Sequence, residues 1–262
     1  MATAGMTYGE RRFGAAYSIR ILVTLGALGL ILGLWAGEKD PRTSSHPELV
    51  WISFGLLAAV AGVWIVLGKT VLTISDAGVR RESILGQQEM AWSQIVETRY
   101  RVVPINTYAH FGLIGALLAM SSKSKRAMFT LELISNDGKK LKVTSTFRNA
   151  DEAIGIILAR ILPRMVESVK ARLQRGETVD FGGIRLSATA VIWKNNSIPV
   201  SEVSKAELAG VYLKVKRQGK WLAVISVKSD KVPNVLVFLE VLESLAPQIK
   251  ATGIDPLARV RV

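Results

Sequence analysis

A chain of 262 residues with a net charge of +13 is long enough for one or two domains with real cores, and its basicity suits an anionic partner, either lipid headgroups or nucleic acid. It has no cysteine and only two histidines, His46 and His110, far apart in the chain, which excludes disulfides, thiolate nucleophiles, Cys-ligated zinc and iron–sulfur clusters and argues against any histidine metal site. Hydrophobic residues make up 49% of the chain and the mean hydropathy is +0.29; the excess sits in two early blocks and a shorter third one, which tips the expected partner toward lipid and away from nucleic acid.

Residues 1–16 form an expected cytoplasmic tail. Ile21 to Gly37 contains no charged residue. With Tyr17 to Arg20 it makes about 20 residues of helix, about 30 Å, the thickness of a bilayer core. A transmembrane helix is therefore expected over 17–37. The linker 38–48 is polar and carries Pro41 and Pro47 as breakers. Leu49 to Gly68 is a second uncharged run, the second expected span. Trp35 and Trp51 flank the shared linker and Tyr17 lies at the opposite end, as in an aromatic belt.

Small residues recur at four-residue spacing, Gly29, Gly33 and Gly37 on the first helix, Gly55/Ala59 and Ala58/Gly62 on the second. Such spacing lets helix backbones approach closely, so these residues are expected at the helix contact. Arg11, Arg12 and Arg20 precede the uncharged run Ile21–Gly37, and Lys69, Arg80 and Arg81 follow the second span. Lys39 and Arg42 in the linker are offset by Glu38, Asp40 and Glu48. The positive-inside rule then puts both termini, and everything after residue 68, on the cytoplasmic side. A cleaved signal peptide fits less well, because the first block is long, no A-x-A site follows and a second span comes next.

After Gly68 the period changes from helix to strand. Val71–Ser75 and Val79–Ile84 flank a turn at Asp76-Ala77-Gly78, and Gln88–Trp92 is a third short strand. Phe129–Ser135 and Lys140–Thr146 flank Asn136-Asp137-Gly138, a strong hairpin signal. A helix begins after Asn149, with Asp151 and Glu152 in its first turn, and buries a stripe of Ile154, Ile157, Leu158, Ile161, Leu162, Met165, Val169 and Leu173. It stops at Gly176 and should kink at Pro163. This first domain is expected over 69–175.

It contains an apolar insertion, 104–126. His110 to Met120 is too short to span a bilayer, and Lys123, Lys125 and Arg126 follow it. Three readings stand side by side. It is a loop helix packed on the domain, a contact surface for another membrane subunit, or a membrane-dipping helix. In the last, Phe111, Leu113, Ile114 and Leu117 enter the headgroup layer while the three cations meet anionic lipid.

A similar order recurs over 176–248. Ile184-Arg185-Leu186-Ser187 echoes Leu72-Thr73-Ile74-Ser75, and Pro199-Val200-Ser201-Glu202-Val203 echoes Ala91-Trp92-Ser93-Gln94-Ile95. Val211–Lys216 and Trp221–Val227 are expected as a hairpin around Gln218-Gly219, with Val235–Leu245 as a closing amphipathic helix after Pro233. A basic tail, 249–262, ends the chain. The stretches Gly176-Glu177-Thr178-Val179-Asp180-Phe181-Gly182-Gly183, Ile198 to Val203 and Val232-Pro233-Asn234 resemble a family of uncharacterised bacterial membrane proteins with pleckstrin-homology-like (PH-like) domains. That family usually has Trp where this chain has Val200; Trp92 holds the aligned place in the first copy. The resemblance covers roughly 69–248. It implies an α+β fold, with a transmembrane hairpin followed by two tandem PH-like domains of antiparallel strands and a C-terminal helix. It also implies a bacterial cytoplasmic membrane location, and it brings no catalytic residue.

No P-loop, H-E-x-x-H or G-x-S-x-G occurs. The pairs Asp151/Glu152 and Glu240/Glu243 are better explained as helix-dipole compensation and a solvated face. The sequence therefore points to a non-enzymatic membrane scaffold or accessory subunit without a cofactor. Its partners would be the bilayer and other membrane subunits or further copies of itself. The alternative is a sensor or binder of anionic lipid; a channel built from oligomers ranks lower, since neither Ile21–Gly37 nor Leu49–Gly68 carries a charge, and an enzyme lowest.

Overall fold

The computed structural model describes residues 10–36, 47–84, 86–104, 127–246 and 249. The protein is a mixed α+β chain of antiparallel sheets and four helices among the described residues. One helix is long and apolar enough to cross a membrane, Glu48–Gly68, with a shorter apolar stretch at Val23–Trp35. Contacts divide the chain into two compact units, one within Met1–Glu89 and Thr146–Asn149, the other within Met90–Ser145 and Ala150–Val262.

In the first unit, strand β1 (Arg11–Gly14) leads into α1 (Tyr17–Ala36) and α2 (Pro47–Gly68), after which β2 (Val71–Ile74) returns. β1 and β2 pair antiparallel, with Phe13 opposite Leu72 and Gly14 opposite Val71. The helices therefore occupy the turn of a β-hairpin. Arg11–Gly14 lies within the stretch expected as a tail, and the helices are inserted into the first copy rather than placed before it. Two arginines and a glycine in four residues hide the strand from a periodicity test, yet Phe13 is buried. β3 (Gly78–Ser83) and β4 (Gly86–Ala91) complete a sheet of order β1-β2-β3-β4. The segment before the third helix closes on this sheet through a bridge between Ala15 and Phe147, and Arg81 lies 5.9 Å over the Phe147 ring.

The second unit begins near a 3₁₀ turn at Trp92–Gln94 and continues through β5 (Ile95–Pro104), β6 (Ala127–Ser135), β7 (Lys140–Thr144) and α3 (Ala150–Gln174). β5, β6 and β7 form one antiparallel sheet, with Tyr100 stacked on Phe129 at 6.4 Å. The apolar stripe of α3 is buried as its spacing requires, except that Val169 is half-buried and Val166 takes a buried place instead. α3 continues through Pro163 as a single element. Arg164 on this helix donates to the carbonyls of Trp92, Ser93 and Ile95 at 3.0, 3.3 and 2.7 Å. One guanidinium thus ties the helix to three carbonyls of the turn at once.

Helix α3 ends in a Schellman arrangement. Gly176 has φ +80° and its N–H donates to Leu173 O, while Glu177 N–H donates to Arg172 O. The Glu177 carboxylate turns back to Arg172 and Arg175, each at 2.8 Å, and hydrogen bonding to Arg172 first and Arg175 second holds its pKa below the ordinary value.

The second copy then runs through β8 (Val179–Asp180), β9 (Ile184–Leu186), β10 (Ala190–Trp193) and β11 (Asn196–Pro199). A 3₁₀ turn at Val200–Glu202 follows, then β12 (Val203–Ala209), β13 (Tyr212–Arg217), β14 (Ala223–Lys228) and α4 (Val235–Leu245). The element order of the first copy is repeated, and so are its details. Ser75 and Ser187 donate N–H to Gly78 O and Ala190 O, at 3.0 and 2.9 Å. Both 3₁₀ turns lead into a strand with a register shift at its start, Ile95/Glu97 and Val203/Lys205. Asn149 and Asn234 precede the two helices, at φ 53° and 54°. Where the first copy inserts two helices between β1 and β2, the second has only Phe181-Gly182-Gly183 between β8 and β9.

The segments quoted for the family resemblance meet in this unit. Phe181 packs edge-on against Phe238 at 5.4 Å. A Cβ on Gly182, at φ +70°, would stand 2.6 Å from Pro233 Cδ and 2.7 Å from Lys231 O. Asn234 joins the copies: its N–H donates to Thr98 O at 2.7 Å, and its Oδ1 accepts from Thr98 N–H at 2.7 Å and from Thr98 Oγ1 at 3.2 Å. Thr98 is buried on β5, so these bonds have no water to replace them.

Three outcomes follow for stability, read by chemical denaturation of the detergent-solubilised chain. Asn234→Ala loses roughly 2–4 kcal/mol, since it strands buried Thr98 donors and puts alanine at positive φ. Gly182→Ala loses roughly 3 kcal/mol or more through the clash with Pro233, whereas Gly183→Ala, at φ +93° in open space, loses about 1 kcal/mol. Glu177→Gln is weaker than the parent at neutral pH and equal to it in strong acid. A depressed carboxylate contributes fully above its ordinary pKa of about 4 and loses that contribution as pH falls through its lower folded value.

Candidate functional site

The most unusual surface in the chain is that of α1 and α2. They lie side by side and antiparallel: Trp35 Nε1 donates to Ser53 Oγ at 3.3 Å near one end and Trp64 Nε1 to Thr24 Oγ1 at 2.9 Å toward the other. The Thr24 hydroxyl in turn donates to Arg20 O at 2.9 Å. The Arg20 guanidinium lies 5.4 Å over the Trp64 ring and beside Gly68, at the C-terminal end of α2, where the helix dipole favours a cation. These polar atoms sit at the two ends of the pair, while its middle is apolar.

The contact face consists of Val23, Ala27 and Ile31 on α1 and Leu56, Val60 and Val63 on α2, each partly or fully covered. Ala27 is the small residue at this seam. Gly29, Gly33, Gly55, Ala58, Ala59 and Gly62 are on the exposed side, and a Cβ on any of those glycines would meet no atom within 4 Å. Their four-residue spacing follows a different stripe from the one through Ala27, so in this pairing they are not at the contact. Gly37 lies outside the described residues.

Of the apolar window on α2, none is buried inside the chain. Trp51, Phe54 and Ile65 are 74%, 62% and 57% exposed. Leu25, Leu30 and Leu32 on α1 are likewise exposed. Exposed apolar side chains along one helix pair are unusual on a chain in water.

A second surface lies in the second copy. A cleft of about 420 Å³ is bounded by β11, through Asn196, Ser197 and Ile198, and by the β13–β14 connection, through Arg217, Lys220, Trp221 and Leu222. The sequence expects Trp221 inside a strand; the structure ends β13 at Arg217 and starts β14 at Ala223. Lys216 pairs with Ala223, so Trp221 and Leu222 fall in the connection, outside the ladder.

The insertion residues Phe111, Leu113, Ile114, Leu117, Lys123, Lys125 and Arg126 lie outside the described residues. Among the described residues no group of three or more His, Asp or Glu side chains is placed to hold a metal ion.

A family model matches residues 9–250, from just before β1 to beyond α4. The chain belongs to DUF6585, a family of unknown function. No curated protein matches the sequence. The matched span takes in β1, the two helices and both copies, so the helix pair inserted between β1 and β2 falls inside the DUF6585 region. The resemblance to an uncharacterised family holds at that level.

A change at the seam tests the helix pairing. Ala27→Leu overfills the contact with α2 and weakens the pair by roughly 1–3 kcal/mol, whereas Gly29→Ala, in open space, is nearly neutral. Thermal unfolding of the two variants in the same detergent gives the comparison.

Proposed function

We propose that this DUF6585 chain is a non-enzymatic, membrane-anchored module. In this reading α1 and α2 cross the bilayer as a hairpin, and the two copies are PH-like domains on its cytoplasmic face. They act as a scaffold or accessory subunit of a larger membrane complex, with other membrane subunits or further copies of the chain as partners.

The observation that carries the reading is the apolar window of Glu48–Gly68, none of which is buried inside the chain, since water is the surrounding in which such a surface is costly. The β1–β2 ladder supports the hairpin: Gly14 opposite Val71 returns the chain to where it left, so α1 begins and α2 ends on the same side. Arg11, Arg12, Arg20, Lys69, Arg80 and Arg81 cluster around those ends in sequence, against a nearly neutral linker, which favours a cytoplasmic placement. The PH-like assignment rests on the order of strands, 3₁₀ turn, strands and helix, found twice. The bacterial cytoplasmic membrane rests on the sequence resemblance, and the scaffold role on a sequence without a reactive motif.

Purification of the full chain from membranes in mild detergent, followed by mass spectrometry, tests the role. A stoichiometric membrane partner or a defined homo-oligomer is expected, and recovery as a clean monomer would remove the scaffold reading.

A further inference from the structure

We infer that the Trp221–Leu222 tip of the β13–β14 connection is a second membrane contact, seating in the headgroup layer of an anionic bilayer. Gly219, at φ +73°, turns the chain, and Lys220 N–H donates to Arg217 O at 3.1 Å to close the turn. The next two side chains are apolar and project from the fold, Trp221 83% and Leu222 60% exposed. An indole with an apolar body and one N–H donor suits the boundary between headgroup and acyl chain.

The charge around the tip fits one kind of surface. Lys216 (opposite Ala223), Arg217 and Lys220 are the cations at this end of the hairpin. Lys220 adjoins Trp221 and lines the cleft with Arg217, whose guanidinium is held by Glu202 at 2.5 Å. An apolar tip beside Lys216 and Lys220 is complementary to negatively charged headgroups, and each cation near such a surface adds to the attraction. One Trp–Leu pair binds a bilayer weakly. On a chain already anchored by its helices the contact becomes intramolecular, and a weak contact then suffices.

The chain has no cysteine, so a single environment-sensitive fluorophore can be placed at Leu222→Cys, with Glu243→Cys, at an exposed position on α4, as reference. The full chain is reconstituted into nanodiscs of zwitterionic lipid or of zwitterionic lipid mixed with phosphatidylglycerol, each with nitroxide-labelled lipid as quencher. With phosphatidylglycerol present, quenching at 222 should exceed that at 243 by about threefold or more. It should fall toward the reference value at high salt or after Lys216→Glu with Lys220→Glu. Trp221→Cys, labelled in the same way, should behave like Leu222→Cys.

Equal quenching at 222 and 243, or quenching at 222 that ignores lipid charge, would overturn the inference. So would loss of the signal after changing Lys123, Lys125 and Arg126 to Glu while the Lys216/Lys220 variant keeps it. The inference rests on the membrane anchorage proposed above; failure of that anchorage would appear separately, as a chain that does not enter nanodiscs at all.

Discussion

Gly14 and Val71 face each other in an antiparallel ladder, and between them lie two helices whose apolar side chains the chain leaves uncovered. The rest of the account depends on that combination. The ladder buries Phe13 and Leu72, so it is secured by the core of the first sheet rather than by the helices. Whatever surrounds α1 and α2 must leave both of their outer ends at that sheet. An apolar surface held in this way can be covered by lipid, by a protein partner or by another copy of the chain, and each of these leaves the sheet intact.

The two copies show how one scaffold takes up such an insertion. In the second, β8 and β9 are joined by Phe181-Gly182-Gly183, and the close approach of Gly182 to Pro233 fixes the turn against the start of α4. In the first, the corresponding connection has grown into α1 and α2. The serine turns, the shifted registers at Ile95 and Val203, and the paired asparagines at positive φ are unchanged. Asn234 is bonded to Thr98 across the copies, and the compact units do not follow the repeat boundary near Gly176: Met90–Ser145 and the helix from Ala150 share one unit with the whole of the second copy.

Much of this was legible in the sequence, for physical reasons that differ along the chain. The uncharged runs, the Asn136-Asp137-Gly138 turn, the Gly176 stop and the limits of α4 follow from hydropathy, turn chemistry and helical period, which act locally. β1 was not legible, because its partner is far away in sequence and its arginines mask the pattern. The seam of α1 and α2 was misplaced because four-residue glycine spacing states only that a close approach is permitted; the pairing chosen runs through Ala27, and through Thr24 with Trp64. The alternation around Trp221 reads as strand, but strand limits depend on the partner, and the ladder resumes only at Ala223, opposite Lys216. Arg164, which holds three backbone carbonyls, gives no sequence signal, since an arginine on a helix is usually a solvated one.

Side-specific labelling in cells tests the membrane placement most directly, and the cysteine-free chain allows it without background. A membrane-impermeant maleimide should modify Ser45→Cys, in the linker, in intact cells, and should reach Ser204→Cys, at an exposed position beside β13, only after the cells are opened. Protection of both positions in intact cells, together with a chain that stays in the supernatant without detergent, would contradict the placement.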